Sequence, residues 1–171
     1  MSLAERFWDL LGNWTGTEEQ AASPWAPAAR TRAALTFKLD LAETAVLQDY
    51  RQVRDDSDEL RERQRVELSG GRGGSSPLMT EFLAHGVFLG DEDDPDVVLW
   101  WLFDSVGHAP EPGRGGWAGP VLELTRTTPR GSAHHRFELG DDRLTYAIDL
   151  SLGGQEAVPF LRGRYARVSG H

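Results

Sequence analysis

His85 falls in phase with Leu83 and Val87 on an alternating stretch. An imidazole carried inward on such a stretch could act as an axial ligand or as a general base; the same pattern fits a histidine that only packs at the edge of a core. Gln48, Tyr50 and Gln52 share one face of their segment, and Leu47, Asp49, Arg51 and Val53 share the other. Neither face is purely apolar. Gln48 and Tyr50 therefore either orient a ligand inside a hollow barrel or stand at the rim of a filled one. In Trp100-Trp101-Leu102-Phe103-Asp104, alternation sends Trp100 and Leu102 to one side and Trp101 and Phe103 to the other. One pair lines the interior, where aromatic walls suit a flat apolar molecule or simply fill space. The candidate cavity residues are Trp14, Trp25, Gln48, Tyr50, His85, Trp101 and Phe103.

The other reactive side chains offer less. His134 and His135 are adjacent on a strand and must face opposite sides, so they do not share a metal within it. His108 sits in a stretch rich in Gly and Pro. Arg61, Arg63 and Arg65 read as one face of a strand over residues 60–69, a solvated outer face paired with Glu43, Asp49 or Glu67. The acidic run 91–96 has neither the glycine nor the distal glutamate of a calcium loop. No nucleophile elbow, zinc-protease helix, Walker loop or dinucleotide fingerprint occurs. No catalytic residue and no metal site is assigned. An enzyme would need His85 or His108 beside a carboxylate in the cavity.

These side chains must be positioned by strands. Leu3, Phe7, Leu10 and Leu11 lie on one helical face, which predicts a short amphipathic helix over 3–11 stopped by Gly12. Strands are expected at 14–20, from 32 onward, and at 46–54, 60–69, 78–89, 97–104, 117–126, 133–139, 144–152 and 157–168. A polar hairpin turn at 55–58 and a Gly-rich loop at 70–77 separate some of them, and 107–116 reads as a longer loop. Roughly ten strands after one helix predict an all-β, up-and-down antiparallel barrel, as a single domain over 1–171 with the helix at 3–11 and the barrel at 13–168. Trp14 between Gly12 and Gly16 suits the floor of such a barrel, where the helix closes it.

Composition narrows the partners. A net charge of -9 repels nucleic acid. No run of about 18 apolar residues predicts a membrane span, and the start lacks the pattern of a signal peptide. With no cysteine there is no disulfide framework. A cytoplasmic protein is expected.

The run Gly12-x-Trp14-x-Gly16-x-Glu18, then Ser23-Pro24-Trp25-x-Pro27, Val46 to Gln52, His85-Gly86-Val87-Phe88, Trp101 to Gly107 and Gly163-Arg164-Tyr165-x-Arg167-Val168 resembles the bacterial domain-of-unknown-function 1579 family. The resemblance covers nearly the whole chain. It implies a calycin-like barrel related to lipocalins, fatty-acid-binding proteins and nitrobindins, with no established activity. Nitrobindins hold haem through a histidine on the last strand; the similar stretch 159–165 has none, which argues against haem held in that way. The cofactor is otherwise open. The function expected is binding of a small, mainly apolar molecule. The alternative is a solid barrel working through its surface, as a homodimer or accessory subunit, for which six tryptophans provide material.

Overall fold

The computed structural model describes residues 2–24, 26–56, 58–62, 65, 80–107, 111–129 and 131–168. Ser2 and Glu5 form a capping box that starts α1 (Leu3–Phe7), the serine hydroxyl accepting from the Glu5 amide and the Glu5 carboxylate from the Ser2 amide. The helix is shorter than the predicted 3–11. Its last turn tightens, with the Leu10 amide donating to the Phe7 carbonyl at 2.8 Å, so that Phe7 and Leu10 both turn into the barrel. Trp8 faces solvent.

Ten strands follow: β1 (Gly12–Gln20), β2 (Ala29–Asp40), β3 (Ala45–Arg54), β4 (Glu81–Gly90), β5 (Val98–Asp104), β6 (Gly113–Ala118), β7 (Val121–Thr128), β8 (Gly131–Gly140), β9 (Arg143–Leu152) and β10 (Val158–Arg167). They form a closed antiparallel barrel in which each strand pairs with its sequence neighbours and β1 pairs with β10. The all-β, up-and-down barrel with a short N-terminal helix is thus the fold. Among the described residues, no helix is long and apolar enough to cross a membrane.

The count of ten matches the expectation, but the membership differs. The predicted strand over 60–69 is not one where it is described: residues 58–62 and 65 are helical, and the Leu60 amide donates to the Asp56 carbonyl at 3.0 Å. Of the predicted hairpin turn at 55–58, residues 55 and 56 are a turn and Asp58 already belongs to the helical segment. Arg61 lies 3.9 Å from Asp58 and Arg65 2.7 Å from Glu62, both three residues apart, instead of forming a strand face. Arg63, Glu67 and the loop 70–77 lie outside the described residues.

The missing strand is recovered further on. The predicted strand 117–126 is interrupted by Gly119-Pro120, which turns the chain from β6 to β7. Most of β6 comes from a glycine-rich stretch read as loop. Its glycines serve close approach: a Cβ on residue 115 would sit 1.7 Å from the Glu123 carbonyl oxygen of the paired strand.

At the α1 end the interior is packed with rings and leucines. Phe7, Trp14, Phe37, Phe88, Trp100, Phe137 and Leu144 are each at most 1% exposed. Phe88 stacks on Trp100 at 5.6 Å, and Phe37 meets Phe137 edge to face at 6.0 Å. The Trp14 indole donates to the Leu10 carbonyl at 2.9 Å, fastening the end of the helical turn to the floor. The Arg167 guanidinium lies 4.2 Å from the Trp14 ring.

Candidate functional site

In β3, Gln48, Tyr50, Gln52 and Arg54 point inward and are buried, while Asp49 and Arg51 point out. Gln48 accepts from the Trp100 indole at 3.2 Å, and Trp14 lies on the floor as expected. Three other candidate cavity residues do not line the interior. His85 is on the outer wall, where the β3–β4 register sets it against Asp49; its Nδ1 lies 2.6 Å from the Asp49 carboxylate and both side chains are half exposed. Its companions on that face include Leu83, itself 48% exposed, so the apolar phase around His85 belongs to the outside. Trp100 and Leu102 are the inward pair of β5, which turns Trp101 and Phe103 outward. His85 and Phe103 instead border a shallow outer depression of about 610 Å³. The only histidine-carboxylate pair that the enzyme reading would use is therefore on the outer surface, among the described residues. Trp25 and His108 lie outside the described residues. Arg114 pairs with Asp91 at 2.9 Å, and Asp91 accepts from the amides of Asp93 and Asp94, as in a solvated turn.

The site that sequence reasoning missed is organised around Glu18. It is 1% exposed on the inner wall of β1, and four donors converge on its carboxylate. Tyr50 lies 2.7 Å and 2.9 Å from its two oxygens, Gln52 donates at 2.6 Å and Thr31 at 3.1 Å, and the Tyr165 hydroxyl closes the set. Every partner donates, which fits a carboxylate acting only as acceptor. Burial, followed by the Glu18 charge, pushes the phenols of Tyr50 and Tyr165 well above their ordinary range, so both stay protonated and able to donate. Gly163 leaves room for the contact; a Cβ there would come 2.8 Å from the Tyr165 ring and 3.0 Å from Glu18. A signal existed: Glu18 is in phase with Trp14 and Gly16 on one strand.

Beside this cluster stand His135 of β8 and Tyr146 of β9, joined through Nδ1 and the hydroxyl at 2.8 Å. His135 Nε2 is buried with no hydrogen-bond partner, and so is Arg126 Nε on the neighbouring β7. Arg126 Nη2 lies 3.7 Å from Asp104, both side chains being nearly buried. His134 points out toward Thr125, on the opposite side from His135, as expected for adjacent strand residues.

Burial, and then the charges of Arg126 and His134, push the His135 imidazole down to about 3 from 6.5. Between those values the unfolded chain holds a proton that the folded chain does not, so stability is full above about pH 6.5 and falls with acid toward pH 3. The slope is at most about 1.4 kcal/mol per pH unit. Urea denaturation of the wild type and His135→Gln across this range is expected to give a steeper loss in the wild type; parallel curves would contradict the assignment.

No set of three histidine, cysteine or carboxylate side chains able to hold a metal ion occurs among the described residues. On β10 the inward residues are Leu161, Gly163 and Tyr165, and the strand carries no histidine, so haem held from that strand does not fit.

No family model and no curated sequence matches the chain. Solved structures do. Rv2717c from M. tuberculosis superposes with a TM-score of 0.66 over 97% of both chains at 14% identity. The S-type phycobiliprotein lyase CPES from Guillardia theta superposes with a TM-score of 0.64 over 100% of this chain and 95% of that one, at 11% identity. At such identities the likeness is one of fold: this chain shares its barrel with both.

Proposed function

We propose that the barrel binds a small molecule with a largely apolar body, taken up through the end opposite α1. The observation that carries this reading is the division of the interior. The floor rings are sealed from solvent, whereas Gln52, Leu102, Arg126 and Ala133, inward in the other half, keep 7–8% exposure. That half combines apolar wall with a few fixed polar groups, the usual make-up of a ligand site. Gln48 and Tyr50 belong to this inner wall, though both are already engaged by neighbours. One structural neighbour is by its description a lyase for phycobiliproteins, which supports a fold put to work on a molecule. We propose that the chain belongs with the domain-of-unknown-function 1579 family that it resembles, a resemblance that implies the barrel and no activity.

Native mass spectrometry of the protein as purified is the test. A reproducible added mass, released on denaturation, is the expected result. A bare mass, together with no shift in melting temperature across a panel of apolar and amphipathic compounds, would overturn it.

A second reading rests on Leu83 and Phe103, which stand 48% and 49% exposed on the outer wall of β4 and β5 and give a surface through which copies of the chain could pair. Light scattering after size exclusion distinguishes it, since a strict monomer at high concentration excludes self-association.

A further inference from the structure

Among the inward polar groups of the upper half, two are incomplete and neighbouring. The β7–β8 register pairs Leu124 with His135 and Arg126 with Ala133. Arg126 and His135 are therefore diagonal neighbours on the inner wall, within reach of one small group. Both are more than nine-tenths buried, and each carries a nitrogen with no hydrogen-bond partner. On the α1 side His135 is backed by the Trp100 ring at 4.8 Å, edge to face, and it stacks on Tyr146 at 6.0 Å; elsewhere in this half the wall is low. Ala33, Ala84 and Ala133 point inward in this half, where the floor has tryptophan and phenylalanine.

The chemistry of the two nitrogens selects what completes them. A guanidinium only donates, so Arg126 Nε–H requires an acceptor. Asp104, at 3.7 Å from Nη2, is beyond hydrogen-bond distance, which leaves a desolvated cation weakly paired, a state that favours an anionic acceptor. Tyr146 stays protonated, because burial pushes its phenol up, and its hydroxyl can donate to His135 Nδ1. The imidazole then presents Nε2–H to the interior as a second donor. Two donors on adjacent strands match the two oxygens of one carboxylate. A cationic head group is disfavoured because both carboxylates that could receive it are engaged, Glu18 by Tyr50, Tyr165, Gln52 and Thr31, and Asp104 by the Arg126 guanidinium beside it.

Resting on the binding-barrel reading, we propose that the ligand is an apolar carboxylic acid whose carboxylate bridges Arg126 and His135. Its apolar body lies in the half opposite α1, against Leu102, Phe82 and the alanines.

Titration calorimetry of the full chain with decanoate, decan-1-ol and decylamine, three probes with the same chain, tests the head group. Decanoate is expected to bind about tenfold or more tightly than the alcohol, the worth of one charge-assisted hydrogen bond. Arg126→Met is expected to weaken decanoate more than the alcohol, which also loses a donor to its oxygen, and so to remove that preference. The wild-type series is decisive even if the variant does not fold. Equal affinity for acid and alcohol would overturn the carboxylate assignment and leave the binding barrel standing, and preference for the amine would do the same and point to Asp104 or Glu18 as the partner. If none of the three binds, the carboxylate assignment falls; the mass of the purified protein then decides separately whether the barrel holds another class of molecule.

Discussion

Glu18→Ala is expected to lower the stability of the fold by about 3–5 kcal/mol, because four buried donors lose their common acceptor at once. Each orphaned donor costs about 1–3 kcal/mol when it cannot turn elsewhere. The sum is not reached, since Tyr50 and Gln52 retain some solvent contact and can recruit water in the space vacated. Glu18→Gln keeps one oxygen acceptor but sets an amide donor among donors, and a loss of about 1–2 kcal/mol is expected. Because the donors act as a set, Tyr50→Phe in the Glu18→Ala background is expected to cost less than Tyr50→Phe alone. Guanidinium denaturation at neutral pH of the wild type and the four variants reads these differences. A loss below about 1 kcal/mol for Glu18→Ala, on the scale of one net hydrogen bond, would mean that the cluster contributes little to the folded state.

Trp14→Ala is expected to cost about 3–5 kcal/mol, the range for deleting a buried aromatic side chain. Trp14 is 1% exposed, and its removal has three local effects. It leaves a cavity in the floor, frees the Leu10 carbonyl, and takes away the ring beneath Arg167. Arg167 also donates to the carbonyls of Leu11 and Asp9 at 2.5 Å each, so the loosening is expected to spread into the turn that follows α1. Hydrogen exchange is the discriminating measurement, with amides of residues 3–13 expected to lose protection more than those of β8 and β9. Uniform loss across the barrel would mean that the tryptophan supports the core in general, with no special part in closing its end.

The barrel itself was legible because alternation is a local property. Leu35 and Phe37, buried, and Leu39, partly buried in the same phase, need no knowledge of their partners to be read as a strand. Residues 60–65 were not legible, since charged side chains at every second position in Leu60-Arg61-Glu62-Arg63-Gln64-Arg65 also place Glu62 and Arg65 on one helical face. The choice of inner face failed for a different reason. Leu83, His85 and Val87 form an apolar-looking row, and so do Trp101 and Phe103, yet both rows lie outside. What decides the matter for Trp100 is long-range: its indole reaches Gln48 across Gly86, and a Cβ on residue 86 would lie 2.6 Å from the Gln48 oxygen and 2.7 Å from the indole nitrogen. Glu18 was passed over although it shares the phase of Trp14, because a carboxylate on the inner face looks costly until Tyr50, Gln52 and Tyr165 are brought to it from two other strands.

The closed strand order also bears on the route by which the chain folds. Nine of the ten strand interfaces join neighbours in sequence; the tenth, from Trp14 against Arg167 to Gln20 against Leu161, joins first strand to last. Hairpins such as β8–β9 close short loops and form early, whereas that final seam must meet the entropy of bringing distant segments together before it returns any energy. Until it does, β1 and β10 each present unpaired amides and carbonyls to other chains in the same condition. Refolding at high concentration is therefore expected to lose more chains to aggregation than refolding at low concentration. A barrel with no edge in its finished state has two in any form that lacks this one seam.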